Sequence, residues 1–202
     1  MALIVQKYGG TSVGDVERIK NVARRVAETH KKGNQVVVVL SAMSGETNRL
    51  VALANEVSES PICREYDLVV STGEQVTIGL MALALKEMGF KAKSFLGYQV
   101  PIVTDSRFGS ARIESIAGGN LTKALNDGVI AVVAGFQGVD SGNNITTLGR
   151  GGSDYTAAIF AAAVDADVLE IWTDVSGMMT ADPRIVQNVK VIPQISYQEA
   201  ME

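Results

Sequence analysis

Four short apolar segments, separated by longer helical segments, constrain the fold of this 202-residue chain more than any other feature. They span residues 3–5, 36–40, 129–134 and 168–172, and glycine or charged residues bound them. Short apolar runs of this kind are typical of strands that are buried on both faces, as in parallel sheets. The pattern predicts an α/β domain around a mainly parallel sheet.

The segments between these runs carry the spacing and the end signals of helices. Apolar residues recur at helical spacing across residues 15–32, where Asp15 is the predicted N-cap and Gly33 ends the helix. Residues 67–88 are predicted to form a second helical region, which ends at Gly89. Strand, helix and strand in this order make a βαβ unit, so helices are expected to cover the sheet.

The second half of the chain contains two more predicted helices and one region with two interpretations. Residues 120–126 are predicted to form a short helix that ends at Gly128. Residues 153–166 are almost entirely apolar beyond the first turn, which predicts a helix buried on all sides at the centre of the domain. Residues 138–144 are typical of a hairpin or surface turn, whereas residues 95–116 fit either short strands or extended loop.

The composition excludes several classes of protein. With 18 basic and 22 acidic residues the net charge is -4, so the chain lacks the basic footprint of a nucleic-acid-binding protein. The longest apolar run, residues 157–164, is too short to span a bilayer, so no membrane association is expected. Cys63 is the single cysteine, which excludes an intramolecular disulfide and favours a cytoplasmic location.

The last residues suggest that the sequence is incomplete. Residues 196–199 have the capping-box pattern Ser-Tyr-Gln-Glu that begins a helix, yet the sequence stops at Glu202. Natural domains seldom end inside the first turns of a helix. We therefore expect the chain to be a truncated part of a longer protein.

The segment 7–14, KYGGTSVG in one-letter code, directly follows the first predicted strand. Its adjacent glycines let backbone N–H groups approach phosphate oxygens, the following helix presents its positive N-terminus, and Lys7 adds a full charge. The segment matches neither a Walker A loop nor a dinucleotide-binding fingerprint. It predicts a phosphate cradle, and a plain strand-to-helix turn is the alternative.

Two more turns are predicted to lie at the same edge of the sheet. In the turn 147–154, Arg150 stands between glycines next to a helix N-terminus, where a guanidinium can hold a carboxylate or a phosphate. Asp154 is either a cap of that helix or a functional carboxylate. Residues 173–177 follow the last predicted strand and are predicted to belong to the site together with residues 182–184. The alternative for the latter is an ordinary turn at Asp182 and Pro183, with Arg184 as a solvated charge. Because ligands collect at the carboxyl ends of parallel strands, one composite site is predicted.

Two further segments, residues 41–48 and 71–74, bring small hydroxyl residues and a carboxylate toward this edge. Both are predicted substrate contacts. The alternatives are an N-cap series for the first segment and a solvent-facing glutamate for the second.

Together, residues 7–13, 147–154, 173–174 and 182–184 resemble the signature blocks of aspartokinases, within the amino-acid kinase superfamily. The blocks follow the family's order along the whole chain. The GRGGSD sequence at residues 149–154 is much more specific than an isolated glycine pair. The resemblance implies a three-layer α/β/α sandwich around a mainly parallel sheet.

The resemblance also assigns roles by position. Lys7 and Asp154 match catalytic residues. Positions that match the ATP site are Lys7, Tyr8, Gly9, Gly10, Thr173, Asp174, Arg184 and Met179, the last standing where many relatives have tyrosine. Positions that match the aspartate site are Ser41, Thr47, Glu74, Arg150, Gly151 and Ser153. The resemblance leaves the metal ligands unidentified.

The implied reaction transfers the γ-phosphoryl group of ATP, with Mg²⁺, to the side-chain carboxylate of L-aspartate. It gives 4-phospho-L-aspartate and opens the route to lysine by the diaminopimelate pathway, to threonine and to methionine. The acceptor is ionised at neutral pH, since the reference pKa of aspartate is about 3.9, so the reaction needs no catalytic histidine. Full-length relatives continue through the rest of the kinase domain and then into regulatory ACT domains, so residues 1–202 are expected to be a catalytic domain truncated at its C-terminal end. The full-length form is expected to be a homo-oligomer.

Two alternatives stay open. Another kinase of the superfamily, acting on acetylglutamate, glutamate or UMP, would share the fold without the full set of blocks. A chain truncated in this way could also be a non-catalytic ligand-binding or subunit-interaction fragment. We expect most ATP and aspartate contacts to be encoded here, but weak or absent activity of the isolated chain.

Overall fold

The computed structural model describes residues 1–116, 119–149, 151–175, 177–183, 185–196 and 198–199. The chain divides into two compact units, Met1–Trp172 and Thr173–Glu202. The strands described are β1 Leu3–Tyr8, β2 Gln35–Leu40, β3 Ala92–Phe95, β4 Ile102–Thr104, β5 Ile113–Ile116, β6 Ile130–Ala134, β7 Gln137–Val139, β8 Ile145–Thr147 and β9 Val168–Trp172. The helices are α1 Val16–Lys31, α2 Glu46–Val57, α3 Arg64–Val70, α4 Thr72–Glu87, α5 Gly119–Asn126 and α6 Gly152–Ala163, with a 3₁₀ turn at Gly10–Val13.

Five of the strands form a wholly parallel sheet in the order β3-β6-β2-β1-β9. It contains all four of the apolar runs that predicted strands. In the register of the sheet, Tyr8 lies beside Leu40 and Trp172, and Leu40 lies beside Ala134. The carboxyl ends of β1, β2, β6 and β9 are therefore level with one another.

Helices cover both faces of this sheet, so the predicted three-layer α/β/α arrangement is confirmed. Val36 and Val38 of β2 point to the layer that contains α1 and α4. Val37 and Val39 point to the opposite layer, which contains α5 and α6. All four valines are fully buried, because a strand at the centre of a covered sheet has no solvent-facing side.

The predicted ends of α1 are confirmed by their geometry. Asp15 caps the helix, since its Oδ1 accepts a hydrogen bond of 2.8 Å from the backbone N–H of Arg18. Gly33 follows the helix with a left-handed φ of 86°, which a residue with a side chain rarely adopts. The predicted helical region 67–88 is two helices, α3 and α4, and it begins earlier than predicted, at Arg64.

A second, mixed sheet with the order β5-β4-β7-β8 occupies the region that had two interpretations. It confirms short strands within residues 95–116, and β7 and β8 form the antiparallel hairpin predicted around residues 138–144. The hydroxyl oxygens of Thr104 and Thr146 lie 2.6 Å apart where β4 approaches the hairpin.

Two burial predictions are wrong. Helix α6 buries only one face against the sheet, and Tyr155 on its other side is 53% exposed. Most residues of that outer face are alanines, whose small side chains lose little by staying in water. Strand β9 is not buried on both faces either, because it is an edge strand paired only with β1 among the described strands, and Val168 and Ile171 are 44% and 50% exposed.

The stretch Arg64–Glu87 is long and apolar enough to cross a membrane, judged by length and composition alone. Half of its most apolar 18-residue segment is buried inside the protein, and Ile78, Met81 and Leu85 belong to the core cluster that covers the sheet. The inner side of this stretch, formed by α3 and α4, is therefore part of the domain core.

Candidate functional site

A cleft of about 540 Å³ opens at the level carboxyl ends of β1, β2 and β6. Residues that follow these strands line it, namely Gly9 and Gly10 after β1, Ser41 after β2, and Phe136 after β6. The first turn of α6 forms another wall. The structure thus brings the first two predicted glycine-rich turns together at one edge of the sheet.

Lys7 and Asp154 form an ion pair in this cleft. The Nζ atom of Lys7 lies 2.6 Å from the Oδ1 atom of Asp154. Lys7 is only 8% exposed, because it lies on central strand β1, whereas the side chain of Asp154 is 49% exposed in the first turn of α6. The N-cap of α6 is Gly151, which has no side chain, so the positive end of the helix faces the cleft without a capping group.

Glu74 lines the cleft from α4 and is 2% exposed. Its Oε1 accepts a hydrogen bond of 3.0 Å from the backbone N–H of Ala42, while its buried Oε2 has no hydrogen-bond partner among the described residues. Burial raises the pKa of this carboxyl from 4.5 to about 7. The alternative of a solvent-facing glutamate is therefore wrong, and the free oxygen is available to a cationic ligand.

Glycines bring the walls of the cleft into close contact. A Cβ atom at Gly10 would lie 2.8 Å from the carbonyl oxygen of Ala42, and one at Gly73 would lie 2.8 Å from the Cβ of Ala42. A Cβ at Gly135 would lie 2.8 Å from the Cβ of Ser153. Such distances leave no room for a side chain, so glycine at these positions holds the loop after β2 and the start of α6 against the sheet edge.

Asp67 is a buried carboxylate whose role the sequence did not reveal. Its Oδ1 accepts hydrogen bonds of 2.8 Å from the backbone N–H of Gly109 and from the hydroxyl of Thr147, and its Oδ2 accepts one of 2.7 Å from the backbone N–H of Thr147. Burial raises its pKa, and these bonds oppose the rise. One side chain of α3 thereby fixes the strand that leads into the turn 147–154.

The other predicted residues of the first unit fall into three groups. Four line the cleft: Ser41, Thr47, Gly151 and Ser153. The side chain of Tyr8 does not, because successive side chains of a strand alternate; it is 1% exposed in the core and stacks on Trp172 with 5.9 Å between ring centroids. Arg150 lies outside the described residues.

Five residues outside the predicted segments also line the cleft: Val51, Tyr66, Val70, Gly109 and Phe136. Phe136 has a left-handed backbone with a φ of 67°, which is uncommon for a residue with a side chain and occurs often at functional sites. Its place beside Gly135 at the end of an apolar run was a weak signal. The residues on α2 and α3 carry no such signal in the sequence, because only the tertiary packing of these helices places them beside the cleft.

The second unit contains the remaining predicted positions. The hydroxyl of Thr173 donates a hydrogen bond of 3.2 Å to Oδ1 of Asp174. Met179 pairs with Val191 in an isolated antiparallel bridge. Arg184 lies outside the described residues. The predicted capping pair is confirmed, since the hydroxyl of Ser196 donates to Oε2 of Glu199 at 2.7 Å and accepts from its backbone N–H at 3.3 Å.

The cleft combines two complementary electrostatic features. Lys7 and the N-terminus of α6 favour an anion such as a phosphate, while the free oxygen of Glu74 favours a cation such as an ammonium group. The parallel sheet places both at the edge where α/β proteins bind their ligands. The fold and the cleft together define an α/β protein with a candidate anion-binding site at the carboxyl edge of its parallel sheet.

The chain belongs to the amino acid kinase family, whose model matches residues 2–202. It is 55% identical over its whole length to the aspartokinase of Bacillus sp. (strain MGA3) and 54% identical to that of Pseudomonas aeruginosa, and it covers 49% of each. The chain thus spans about half the length of these curated relatives.

Solved structures of aspartate kinases are similar to this chain in fold. The fold is similar to an aspartate kinase from Synechocystis, with a TM-score of 0.80 and 51% identity over 94% of this chain and 31% of that chain. It is also similar to aspartokinase III of E. coli in complex with aspartate and ADP, with a TM-score of 0.83 and 32% identity over 94% of this chain and 53% of that chain. An isopentenyl phosphate kinase at 15% identity and a TM-score of 0.74 shares the fold alone.

Proposed function

We propose that this chain carries the kinase site of an aspartokinase, which transfers the γ-phosphoryl group of ATP to the side-chain carboxylate of L-aspartate. The observation that carries the proposal is the buried oxygen of Glu74, which has no hydrogen-bond partner among the described residues and lies in the same cleft as Lys7 and the N-terminus of α6. This combination suits an acceptor with an ammonium group next to a bound phosphate chain. The aspartokinases among the relatives support the choice of acceptor.

ATP is proposed to bind through its phosphates to Lys7, Gly9 and Gly10, with Tyr8 contributing only backbone groups because its side chain lies in the core. The glycines allow backbone N–H groups to approach phosphate oxygens, and the Lys7 ammonium neutralises their charge. The nucleotide contacts proposed in the second unit are Thr173, Asp174, Met179 and Arg184.

Aspartate is proposed to bind with its α-ammonium group at Glu74 and its α-carboxylate at Arg150. A guanidinium binds a carboxylate through two parallel hydrogen bonds, which fixes orientation as well as position. The remaining contacts proposed for the acceptor are Ser41, Thr47, Gly151 and Ser153. The pair of opposite charges distinguishes an amino acid from a simple carboxylic acid.

The chemistry needs positioning and charge neutralisation more than a base. A carboxylate oxygen of aspartate forms a bond to the γ-phosphorus, the bond from that phosphorus to the bridging oxygen breaks, and ADP leaves with the electron pair. Because both reactants are anions, Lys7 and the helix N-terminus would stabilise the transition state by neutralising charge. Asp154 would hold the Lys7 ammonium in place, as their 2.6 Å contact indicates.

Magnesium is proposed to enter with ATP. The described residues contain no group of three or more His, Cys, Asp or Glu side chains that could hold a metal ion alone. Mg²⁺ is commonly bound by one or two carboxylates together with substrate phosphates, and the half-exposed carboxylate of Asp154 fits that arrangement. Bound magnesium would neutralise phosphate charge.

The wider expectations are proposals of the same kind. We propose that residues 1–202 form an amino-acid kinase catalytic domain of a cytoplasmic homo-oligomer without nucleic-acid or membrane partners. Its product, 4-phospho-L-aspartate, would supply the synthesis of lysine, threonine and methionine.

Two measurements test the proposal. Calorimetry on this chain should detect ADP and L-aspartate binding, with Glu74→Gln weakening aspartate more than ADP and the surface variant Glu87→Gln changing neither. An ADP-release assay on the full-length protein should show faster turnover of L-aspartate than of glutamate, acetylglutamate or UMP. Faster turnover of any of those three would overturn the assignment.

A further inference from the structure

The hairpin formed by β7 and β8 begins and ends beside the cleft. Phe136, which lines the cleft, immediately precedes β7, while Gly149 and Gly151, which also line it, follow β8 on the way to α6. Gln137 and Thr147 are register partners at the base of this hairpin, and both side chains are buried. The position of the base therefore determines where these walls of the cleft lie.

Buried hydrogen bonds attach the base of the hairpin to α3 and to its junction with α4. Both oxygens of Asp67 accept from Thr147, one from the hydroxyl at 2.8 Å and one from the backbone N–H at 2.7 Å. The side-chain amide of Gln137 donates a hydrogen bond of 3.2 Å to the backbone carbonyl of Ser71, which separates the two helices. A shift of the hairpin along the helices would leave buried polar groups without partners, which is costly.

The carboxylate of Asp67 also holds another wall of the cleft. Its Oδ1 accepts a hydrogen bond of 2.8 Å from the backbone N–H of Gly109, a residue that lines the cleft. Two residues further along, the backbone N–H of Ala111 donates to the carbonyl oxygen of Thr147 at 2.8 Å. Asp67 itself is fully buried behind these segments. It can influence a ligand only through the segments that it holds.

These bonds connect two elements that carry proposed contacts of the acceptor. Glu74, the proposed partner of the α-ammonium group, lies in the first turn of α4, directly after the junction at Ser71. Gly151 and Ser153, which are also proposed acceptor contacts, begin α6 beyond the end of β8. A small ligand that is held from two walls binds well only when the spacing between those walls is fixed in advance.

We propose that Asp67 is a positioning residue for the acceptor: through Thr147 it fixes the spacing between the Glu74 carboxylate and the turn that begins α6. The inference rests on the proposed function, because it takes L-aspartate as the acceptor. The phosphates of ATP are proposed to bind at the turn after β1, to which none of these hydrogen bonds runs. Loosening the network should therefore weaken binding of the acceptor more than binding of the nucleotide.

Calorimetry on this chain with L-aspartate and, separately, with ADP tests this role. Thr147→Val removes the hydroxyl that donates to Asp67 with little change of shape, and its Kd for L-aspartate should rise by about three- to tenfold. Its Kd for ADP should stay within about twofold of wild type. Thr147→Ser keeps the hydroxyl and should bind L-aspartate as wild type does.

Thr146→Val is the matched control. Thr146 is the preceding residue of β8 and equally buried, but its hydroxyl oxygen lies 2.6 Å from that of Thr104 on β4 instead. The variant should lose a similar amount of folding stability and keep the wild-type affinity for L-aspartate. A role in folding alone would give the two valine variants the same ligand affinities.

Kinetics of the full-length protein give a second measurement. Asp67→Asn should raise the KM for L-aspartate at least about tenfold and leave the KM for ATP within about twofold of wild type. Adding Thr147→Val to Asp67→Asn should weaken L-aspartate binding less than it does in wild type, because the bond between the two side chains is already disrupted.

The outcomes separate this role from the proposed function. No binding of L-aspartate to wild type would overturn the proposed function and the positioning role with it. If wild type binds L-aspartate, three results would each overturn the positioning role alone. These are a wild-type affinity in Thr147→Val, an equal loss in Thr146→Val, and equal losses of L-aspartate and ADP affinity in Thr147→Val.

Discussion

Ionisation of the buried carboxyl of Glu74 is predicted to make this protein less stable as the pH rises. The side chain is 2% exposed, and burial raises its pKa from 4.5 to about 7. At about 1.4 kcal/mol per pH unit, a rise of this size corresponds to about 3 kcal/mol of folding stability. The substitution Glu74→Gln removes the charge and keeps nearly the same shape, so it isolates this effect.

The direction follows from the protons bound by each state. Between pH 4.5 and about 7 the folded protein retains the Glu74 proton while the unfolded chain loses it, so stability falls as the pH rises through this window. Below pH 4.5 the carboxyl is protonated in both states and does not lower the stability of the folded protein. Above about pH 7 it is ionised in both states, and the full cost of burying the charge is present. The free energy of unfolding of Glu74→Gln, relative to that of wild type, should therefore rise by about 3 kcal/mol between acidic and slightly alkaline pH.

Urea unfolding at about pH 4 and about pH 8, followed by the fluorescence of Trp172, the single tryptophan, measures the difference. Burial also raises the pKa of Asp67, but this carboxyl is present in both proteins and cancels in the comparison. Glu87→Gln, at an exposed position of the same helix, is the matched control. An equal pH dependence in wild type and Glu74→Gln would refute the reasoning.

Three further predictions concern the cleft and its support. Lys7→Ala in the full-length protein should lower kcat by about 100-fold or more, because it removes charge neutralisation, while Lys20→Ala on the exposed side of α1 should not; steady-state kinetics with an unchanged kcat for Lys7→Ala would contradict its role. Asp67→Asn should lower the free energy of unfolding by about 1–3 kcal/mol, since an amide nitrogen would face backbone N–H donors, and urea midpoints equal to wild type would contradict the network. Gly73→Ala should destabilise the protein by about 1–3 kcal/mol through a clash with the loop after β2, whereas Gly79→Ala in the same helix should stabilise it by about 0.5–1 kcal/mol. Thermal unfolding in which both variants shift the melting temperature in the same direction would argue against this packing.

Features that depend on neighbouring residues were predictable from the sequence. Asp15 and Gly33 mark the ends of α1 because capping and left-handed geometry involve only a few adjacent residues. Strands β1, β2, β6 and β9 were equally clear, because each contains a short apolar run that can be recognised without knowing which strands it pairs with. The convergence of the turns 7–14 and 147–154 followed from a general property of parallel sheets, whose carboxyl ends share one edge.

Burial was less predictable because it depends on what lies next to an element. The apolar composition of residues 153–166 predicted a helix surrounded by protein, but α6 packs on the sheet with one face only. Strand β9 reads like the central strands, yet its place at the edge of the sheet leaves Ile171 half exposed. The short strands β4 and β5 were ambiguous, because pairing with distant segments stabilises them.

The sequence by itself determined the class of the fold, the ends of its principal helix and the positions of Lys7 and Asp154 at the predicted site, because these follow from local pattern and motif. Only the tertiary structure decided that these two side chains lie 2.6 Å apart and that Asp67 fixes Thr147 from α3. It also decided that Glu74 is buried with one oxygen that no described residue contacts by a hydrogen bond. Each of these contacts is between segments that are distant in sequence. The packing of the whole domain determines such contacts, and it also determines the burial that raises the pKa of Glu74.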